Sequence, residues 1–282
     1  MKVLVEQGRR WALATSFTLL LSSAAFAQGG AKPEADNSTD LAKKLSNPVA
    51  DLVSVPFQYN WENGVGLGDT TRTRFILNVQ PVMPFSLNER WNLIVRVIMP
   101  LVGQPALFPG GEPASGLSDV LASFFFTPRV PRGFIWGIGP VASLPSTSEP
   151  TLGTGKWSAG PTVLILKQSG PATWGALWNQ VWSFAGPEDR TDVNQMFVQP
   201  FLSFTNPKAV TFGVNSEAVA NWEAPSGDQW TIPINVSVSK LSNFGPFPAS
   251  YQVGAGVFVE KPEGGPDWKL RAGFTILLPR KK

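Results

Sequence analysis

The sequence predicts an all-β protein: a single closed antiparallel transmembrane β-barrel of about twelve strands, preceded by a short helix. Three observations lead to this prediction. Segments in which apolar and polar residues alternate are separated by clusters of Gly, Pro, Asn and Asp. After the first 27 residues, no stretch is long and apolar enough for a transmembrane helix. Tryptophan is abundant, with 11 residues, and recurs near the ends of the alternating segments.

The first 27 residues have the pattern of a secretory signal peptide. Basic residues at positions 2, 9 and 10 precede a mostly apolar run (11–25), and Ala25-Phe26-Ala27 supplies small residues for cleavage. The apolar run is too short to serve comfortably as a membrane anchor. We therefore expect residues 1–27 to be removed and the exported chain to reach the cell outer membrane.

The mature chain is expected to divide into three parts. Residues 28–50 form an N-terminal extension, in which Ser38 or Thr39 caps a short helix that Asn47-Pro48 ends. Residues 51–278 form the transmembrane barrel, and residues 279–282 form a basic tail.

The composition argues against most enzymes and against nucleic-acid binding. The chain has no Cys and no His, which removes thiolate metal sites, the commonest metal ligand and the Ser-His and Cys-His catalytic arrangements. Outer-membrane phospholipases, which depend on a Ser-His pair, are disfavoured for the same reason. Without the signal peptide, 20 basic and 19 acidic residues remain, so no strong positive charge attracts nucleic acid. We expect no catalytic residues, no metal, no cofactor and no enzymatic activity.

Twelve segments have the alternation of strands, and the connections between them are alternately long and short. This rhythm is typical of extracellular loops and periplasmic turns, and an even strand count places both ends on one side of the membrane. The predicted strands are approximately 51–61, 72–83, 90–101, 117–127, 133–144, 156–167, 173–184, 193–204, 209–221, 229–240, 250–260 and 268–278.

Alternation assigns one face of each predicted strand to lipid and the other to the lumen. In the third strand, Trp91 and Val95 share the apolar face, whereas Asn92 and Arg96 share the polar face. A soluble β-sandwich gives the same alternation. Tryptophans in the apolar phase, however, recur at two levels, which is typical of the aromatic girdles of a membrane barrel. The predicted girdle residues are Trp61, Trp91, Trp136, Trp157, Trp174, Trp182, Trp222, Trp230 and Trp268.

Charged residues in the lumen phase are the candidates for a functional site. Rings of basic side chains in a lumen favour anions and could orient a solute. The same charges could instead form a salt-bridge network that fills a narrow lumen, and the sequence leaves both interpretations open. The candidates are Arg72, Arg74, Arg96, Asp119, Glu217, Lys269 and Arg271.

Prolines inside predicted strands need an explanation, because each removes a donor from the hydrogen-bond ladder. The favoured one is a β-bulge at each site. The alternative is a weakened wall that opens a lateral exit for apolar cargo. The prolines concerned are Pro81, Pro140, Pro161, Pro200 and Pro233.

The last strand resembles the β-signal that the barrel-assembly machinery reads. From Arg271 to Leu278, a polar residue is followed by Gly two positions later and then by apolar residues at alternate positions. The chain departs from the usual pattern because 279–282 follow where an aromatic residue often ends the protein. We expect this machinery as a biogenesis partner and outer-membrane lipid as the surroundings.

Several blocks resemble a bacterial family of outer-membrane proteins that is itself similar to the phenol meta-degradation pathway transporters and is often mislabelled "neuromedin U". The blocks are 41–56, 88–93, 116–119, 136–140, 182–186 and 199–202. The resemblance implies an outer-membrane barrel that takes up small, aromatic or apolar compounds. We therefore expect a channel or transporter for small solutes, with aromatic or apolar acids as the finer class. The alternative is a structural barrel, plugged by its own side chains or its N-terminal helix.

Overall fold

The computed structural model describes residues 35–67, 72–108 and 110–278. The expected signal peptide and the basic tail lie outside these residues. No helix in the described part of the chain is long and apolar enough to cross a membrane. The elements are α1 (Ala35–Leu45), β1 (Val53–Val65), β2 (Arg72–Val79), β3 (Val82–Ser86), β4 (Trp91–Gln104), β5 (Ala114–Leu117), β6 (Val120–Pro128), β7 (Ile135–Leu144), a 3-10 turn (Pro150–Leu152), β8 (Trp157–Ser169), β9 (Ala172–Ala185), β10 (Asn194–Thr205), β11 (Val210–Asn215), β12 (Ala218–Asn221), β13 (Trp230–Phe244), β14 (Phe247–Glu260) and β15 (Trp268–Leu278).

The strands form one antiparallel sheet that closes into a twelve-strand barrel. Three pairs of segments, β2–β3, β5–β6 and β11–β12, each make one barrel strand with a break in it. The sheet closes where β1 pairs with β15, from Val53 opposite Leu278 to Asn63 opposite Trp268. This architecture confirms the predicted fold, and each of the twelve predicted segments contains a strand. We call the end of the barrel that holds Val53 and Leu278 the inner mouth, and the opposite end the outer mouth.

Helix α1 begins earlier than the sequence predicts. Ser38 and Thr39, predicted as capping residues, lie inside the helix, which starts at Ala35. The capping prediction is therefore wrong. The Thr39 hydroxyl donates instead to the backbone carbonyl of Pro207, 3.1 Å away, so a contact with a barrel turn uses the group that was expected to cap the helix.

The polar side chains of the strands face the lumen, together with apolar clusters that contact the segment before β1, and the outer surface is apolar. On β15, the side chains of Lys269 and Arg271 are buried, whereas Trp268 and Leu270 are exposed. The same alternation leaves Val253, at the middle of β14, 61% exposed. A band of apolar side chains therefore covers the outer surface, which is the reverse of the distribution in a water-soluble protein.

The segment before β1 lies across the inner mouth. Ala42 of α1, together with Leu41 and Leu45, packs against the lumen-facing side chains of Leu241 and Leu277. Val49 packs against the opposite wall, on a buried cluster formed by Ile94, Phe125, Leu164, Leu166 and Leu177. Residues 35–50, which we call the plug, are thus held by apolar contacts to both sides of the barrel.

The breaks in the strands lie opposite prolines. The backbone N–H groups of Gln80, Ser118 and Ser216 donate to the carbonyls of Pro56, Pro100 and Pro200, at 2.8, 2.8 and 3.1 Å respectively. Because proline has no N–H, it cannot return the second hydrogen bond of the pair, and the partner strand loses its regular ladder there. At Pro200 the register is the same on both sides of the break, so hydrogen bonds are lost there without a bulge, whereas a register shift before Pro233 fits the bulge interpretation. Pro81 lies within the β2–β3 break itself.

Pro140 and Pro161 differ from the other prolines because they face each other across β7 and β8. Regular pairing between β6 and β7 is interrupted beside Pro140, and pairing between β8 and β9 is interrupted beside Pro161. Next to Pro140, a Cβ added at Gly139 would overlap the Phe124 carbonyl oxygen. The strands approach each other closely here, and only glycine allows that approach.

Candidate functional site: the barrel lumen

A charged cluster occupies the lumen beside the β11–β12 break. Glu217 lies in this break and keeps the lumen phase of Asn215, two residues before it. The Arg271 guanidinium donates twice to this carboxylate, at 2.9 and 2.7 Å, and the Lys269 ammonium donates to it at 2.9 Å. Arg271 Nε also donates to the Asn60 side chain at 2.7 Å. Three of the predicted lumen residues therefore meet at one point, with two cations sharing one carboxylate.

A second ion pair lies between the neighbouring strands β1 and β2. The Arg74 guanidinium contacts one Glu62 carboxylate oxygen, with Nη2 at 2.6 Å and Nε at 3.0 Å. Glu62 was missing from the sequence-based candidates because the first strand was predicted to end at residue 61. The signal was available, since Glu62 continues the polar phase of Asn60 along a longer strand.

Arg96 lies closer to the inner mouth and is paired differently. Its Nη2 donates to the Gln80 amide oxygen at 2.7 Å, and the Gln80 amide nitrogen donates to Gln58 at 3.1 Å. Among the described residues, the ion pairs of the lumen join Glu217 and Glu62 to other cations, and none includes Arg96. Arg96 is therefore a lumen cation held by amides rather than by a carboxylate.

Two of the predicted lumen residues lie at the outer mouth and bind loops. Arg72 donates to the Ala106 carbonyl of the β4–β5 loop. Asp119, which follows the β5–β6 break, accepts hydrogen bonds from the backbone N–H and the hydroxyl of Thr154, at 2.6 and 2.8 Å. The structure does not bring these two residues together with the Glu217 cluster.

A second set of contacts joins loops in the same region of the outer mouth. Arg190, from the β9–β10 loop, donates to the carbonyls of Thr154 and Pro150 at 3.0 and 2.7 Å. Nearby, the Lys156 ammonium lies 3.3 Å from Asp192, and its hydrogen bond lowers the pKa of that carboxyl below the ordinary value. The long loops are thus linked to one another by charged side chains.

The predicted girdle tryptophans lie on the outer surface. Each of the nine is exposed or half-exposed, and pairs of rings meet edge to face, with Trp91 and Trp136 5.7 Å apart and Trp222 and Trp230 5.6 Å apart. Aromatic rings also continue between the two levels, where Tyr59 and Phe75 stack at 6.0 Å. The assignment of the tryptophans to membrane interfaces stays a prediction.

Within residues 35–67, 72–108 and 110–278, no cluster of three or more His, Cys, Asp or Glu side chains has an arrangement that could hold a metal ion.

The barrel is similar to solved outer-membrane structures. An outer membrane channel from Pseudomonas putida F1 shares 15% sequence identity at a TM-score of 0.59, with 80% of this chain and 96% of that chain covered. The NanC porin shares 10% identity at a TM-score of 0.54, with 80% of this chain and 100% of that chain covered. No protein-family model matches the sequence, and no curated protein matches it significantly. The fold is therefore that of outer-membrane channels, at low sequence identity.

The comparisons correct the expectation that the chain is not an enzyme. Outer membrane phospholipase A from Escherichia coli is also among the matches, with 9% identity, a TM-score of 0.43, and 85% of this chain and 97% of that chain covered. This enzyme shares the barrel fold, so the sequence-based exclusion of enzymatic activity does not stand, although the matches with the higher TM-scores are a channel and a porin.

Proposed function

We propose that the chain is an outer-membrane channel for small solutes, exported through its N-terminal signal peptide and inserted by the barrel-assembly machinery. The observation that carries the proposal is the distribution of polarity over a closed barrel. Lys269, Arg271 and Glu217 lie inside, whereas the outside presents apolar side chains. The hydrocarbon core of a bilayer is a favourable environment for such an apolar surface. The closed ladder of hydrogen bonds leaves no unpaired strand edge exposed to it.

The charges of the lumen support a preference for anions. Arg74 has one carboxylate partner, Arg271 and Lys269 share another, and Arg96 has amide partners. Together, these lumen side chains carry an excess of positive charge. This charge attracts anionic solutes, and the attraction is stronger where water is partly excluded. The finer solute class, aromatic or apolar acids, rests on the family resemblance of the sequence blocks.

A structural barrel without transport activity is the second candidate, and one observation favours it. The plug fills the inner mouth, and Val49 packs into a fully buried cluster with Ile94 and Phe125. A barrel closed in this way passes solutes only when the plug shifts.

Liposome swelling distinguishes the two candidates. Purified full-length protein is reconstituted, and swelling is followed in isosmotic sugars, amino acids and aromatic acids. If the chain is a channel, the liposomes should swell at rates that fall with solute size. Liposomes containing heat-unfolded protein serve as the control. Folded protein that allows no swelling in any solute would favour the structural barrel.

A further inference from the structure

A cavity of about 300 Å³ lies between the plug and the barrel wall. Its floor is the end of α1 and the turn after it, from Ala42 to Leu52. Its walls are lumen-facing residues of strands on both sides of the barrel closure. This volume is at the lower end of the range of ligand sites, about 300–1,000 Å³, and is enough for one small molecule.

The charged side chains that line this cavity are cationic; the Glu217 carboxylate also attracts Arg96 but lies outside the lining. Its described lining contains two cationic side chains, Arg96 and Lys44, and no carboxylate. Arg96 uses Nη2 for the Gln80 amide oxygen. A guanidinium has five N–H donors in a planar fork that matches a carboxylate. The cavity is therefore suited to one acidic group placed beside Arg96.

The rest of the wall is rich in amides and hydroxyls. Gly213 and Gly273 also face the cavity and leave it room, because they have no side chain. One hydroxyl is already short of a partner, since Ser203 Oγ is buried without a hydrogen bond among the described residues. The polar wall residues include Gln80, Gln199, Ser203, Ser239 and Gln252.

We infer that this cavity binds a small polyhydroxylated carboxylate of the sugar-acid type, with the carboxylate at Arg96 and the hydroxyl groups on the amide and serine wall. The inference rests on the proposed channel function, because the cavity lies on the route through the lumen. An aromatic acid, the finer class that the sequence resemblance suggests, would satisfy Arg96 but would cover the wall amides and hydroxyls without bonding them, so the cavity favours a sugar acid over that class. Sites built to bind hydroxyl groups reject analogues that lack them for this reason.

Calorimetric titration of the purified full-length protein in detergent tests the solute class. The probes are D-glucuronate, benzoate and D-glucose, which separate the acidic group from the hydroxyl groups. We expect glucuronate to bind at least about tenfold more tightly than either of the others. Benzoate binding as tightly as glucuronate, or no binding of any probe, would overturn the inference.

Variants test the two parts of the site separately. Arg96→Gln should weaken glucuronate binding by about tenfold or more, because a charge-assisted bond is lost, without changing the result for glucose. Ser239→Ala should weaken glucuronate but not benzoate. Arg132→Gln, on the exposed β6–β7 turn, is the matched control and should bind as the unchanged protein does. If both cavity variants bind glucuronate like the control, the site is elsewhere and the inference fails.

The outcome is separable from that of the channel proposal. Glucuronate binding with no liposome swelling in any solute would contradict the channel but keep the site. Swelling in small sugars and amino acids without glucuronate binding would keep the channel and overturn the site.

Discussion

Arg271 and Glu217 form a bidentate ion pair inside the barrel, with Nη1 2.9 Å from Oε1 and Nη2 2.7 Å from Oε2. The two residues are 54 positions apart in the sequence and meet inside the closed barrel. Lys269 adds a third contact to the same carboxylate. One acidic side chain thus compensates two buried cations.

Removing this carboxylate should destabilise the barrel strongly. Glu217→Gln leaves Lys269 and Arg271 buried without their counter-ion, a change that typically costs about 3–5 kcal/mol. The free energy of unfolding by urea in phospholipid vesicles measures the effect. Glu89→Gln is the control, because that carboxylate is on the exposed β3–β4 turn and its loss should have little effect. A loss for Glu217→Gln no larger than that of the control would mean that the cluster is not stabilising.

An added charge should destabilise the barrel much more on the outer face of β14 than on its lumen face. Val253 faces outward at mid-strand, and its neighbour Gln252 lines the cavity inside the barrel. Val253→Arg places a cation in the hydrocarbon and should cost about 2–4 kcal/mol, whereas Gln252→Arg should cost far less. Unfolding in vesicles measures both. Equal costs would contradict the assignment of the faces.

Arg96 should control ion selectivity more than the other lumen cations. Arg96→Glu reverses the charge of the lumen cation that is held by amides, so the reversal potential should move towards cation preference. The shift should be largest at low salt, where screening is weakest. Planar-bilayer recording under a salt gradient measures it, with Arg132→Glu on an exposed turn as the control. If the reversal potential does not change, Arg96 does not set the ion selectivity and its role is structural.

Close approach of the backbones beside Pro140 should make Gly139 hard to replace. Gly139→Ala forces a Cβ onto the Phe124 carbonyl and should destabilise the barrel by about 1–3 kcal/mol. At Gly103, the atoms nearest to an added Cβ belong to Phe75 and lie 3.9 Å away, so Gly103→Ala should change stability by less than about 0.5 kcal/mol. Urea unfolding of the two variants compares them. Similar changes in the free energy of unfolding would show that the backbone near Pro140 shifts readily to make room for the added Cβ.

The sequence predicted the barrel because alternation and turn residues are local signals. The period of two places Lys269 and Arg271 on one face whatever the rest of the chain does. The alternation of inward and outward side chains along the strand also identified Glu217 as a lumen residue. Phase alone could not show that one carboxylate serves two cations, because that depends on the curvature of the closed sheet.

The plug and the outer loops were less predictable, since they depend on contacts between distant residues. The sequence indicated a helix near the inner mouth but not that Val49 packs against Ile94 and Phe125 on the far wall. Arg72 and Asp119 have the phase of lumen residues, yet each lies beside a long loop that supplies its partner. Strand breaks opposite Pro100 and Pro200 need knowledge of the neighbouring strand, which a single sequence does not give.

Single-channel conductance with and without α1 shows whether the barrel is a channel that this helix helps to close. The full-length protein and a variant that lacks residues 28–46 are reconstituted in planar bilayers, after both are shown to be folded by heat-modifiable migration on gels. The deletion removes α1 and its contacts with Leu241 and Leu277, so the lumen should open and conductance should rise well above that of the full-length protein. A correctly folded deletion variant with unchanged or absent conductance would contradict the account of a plugged channel.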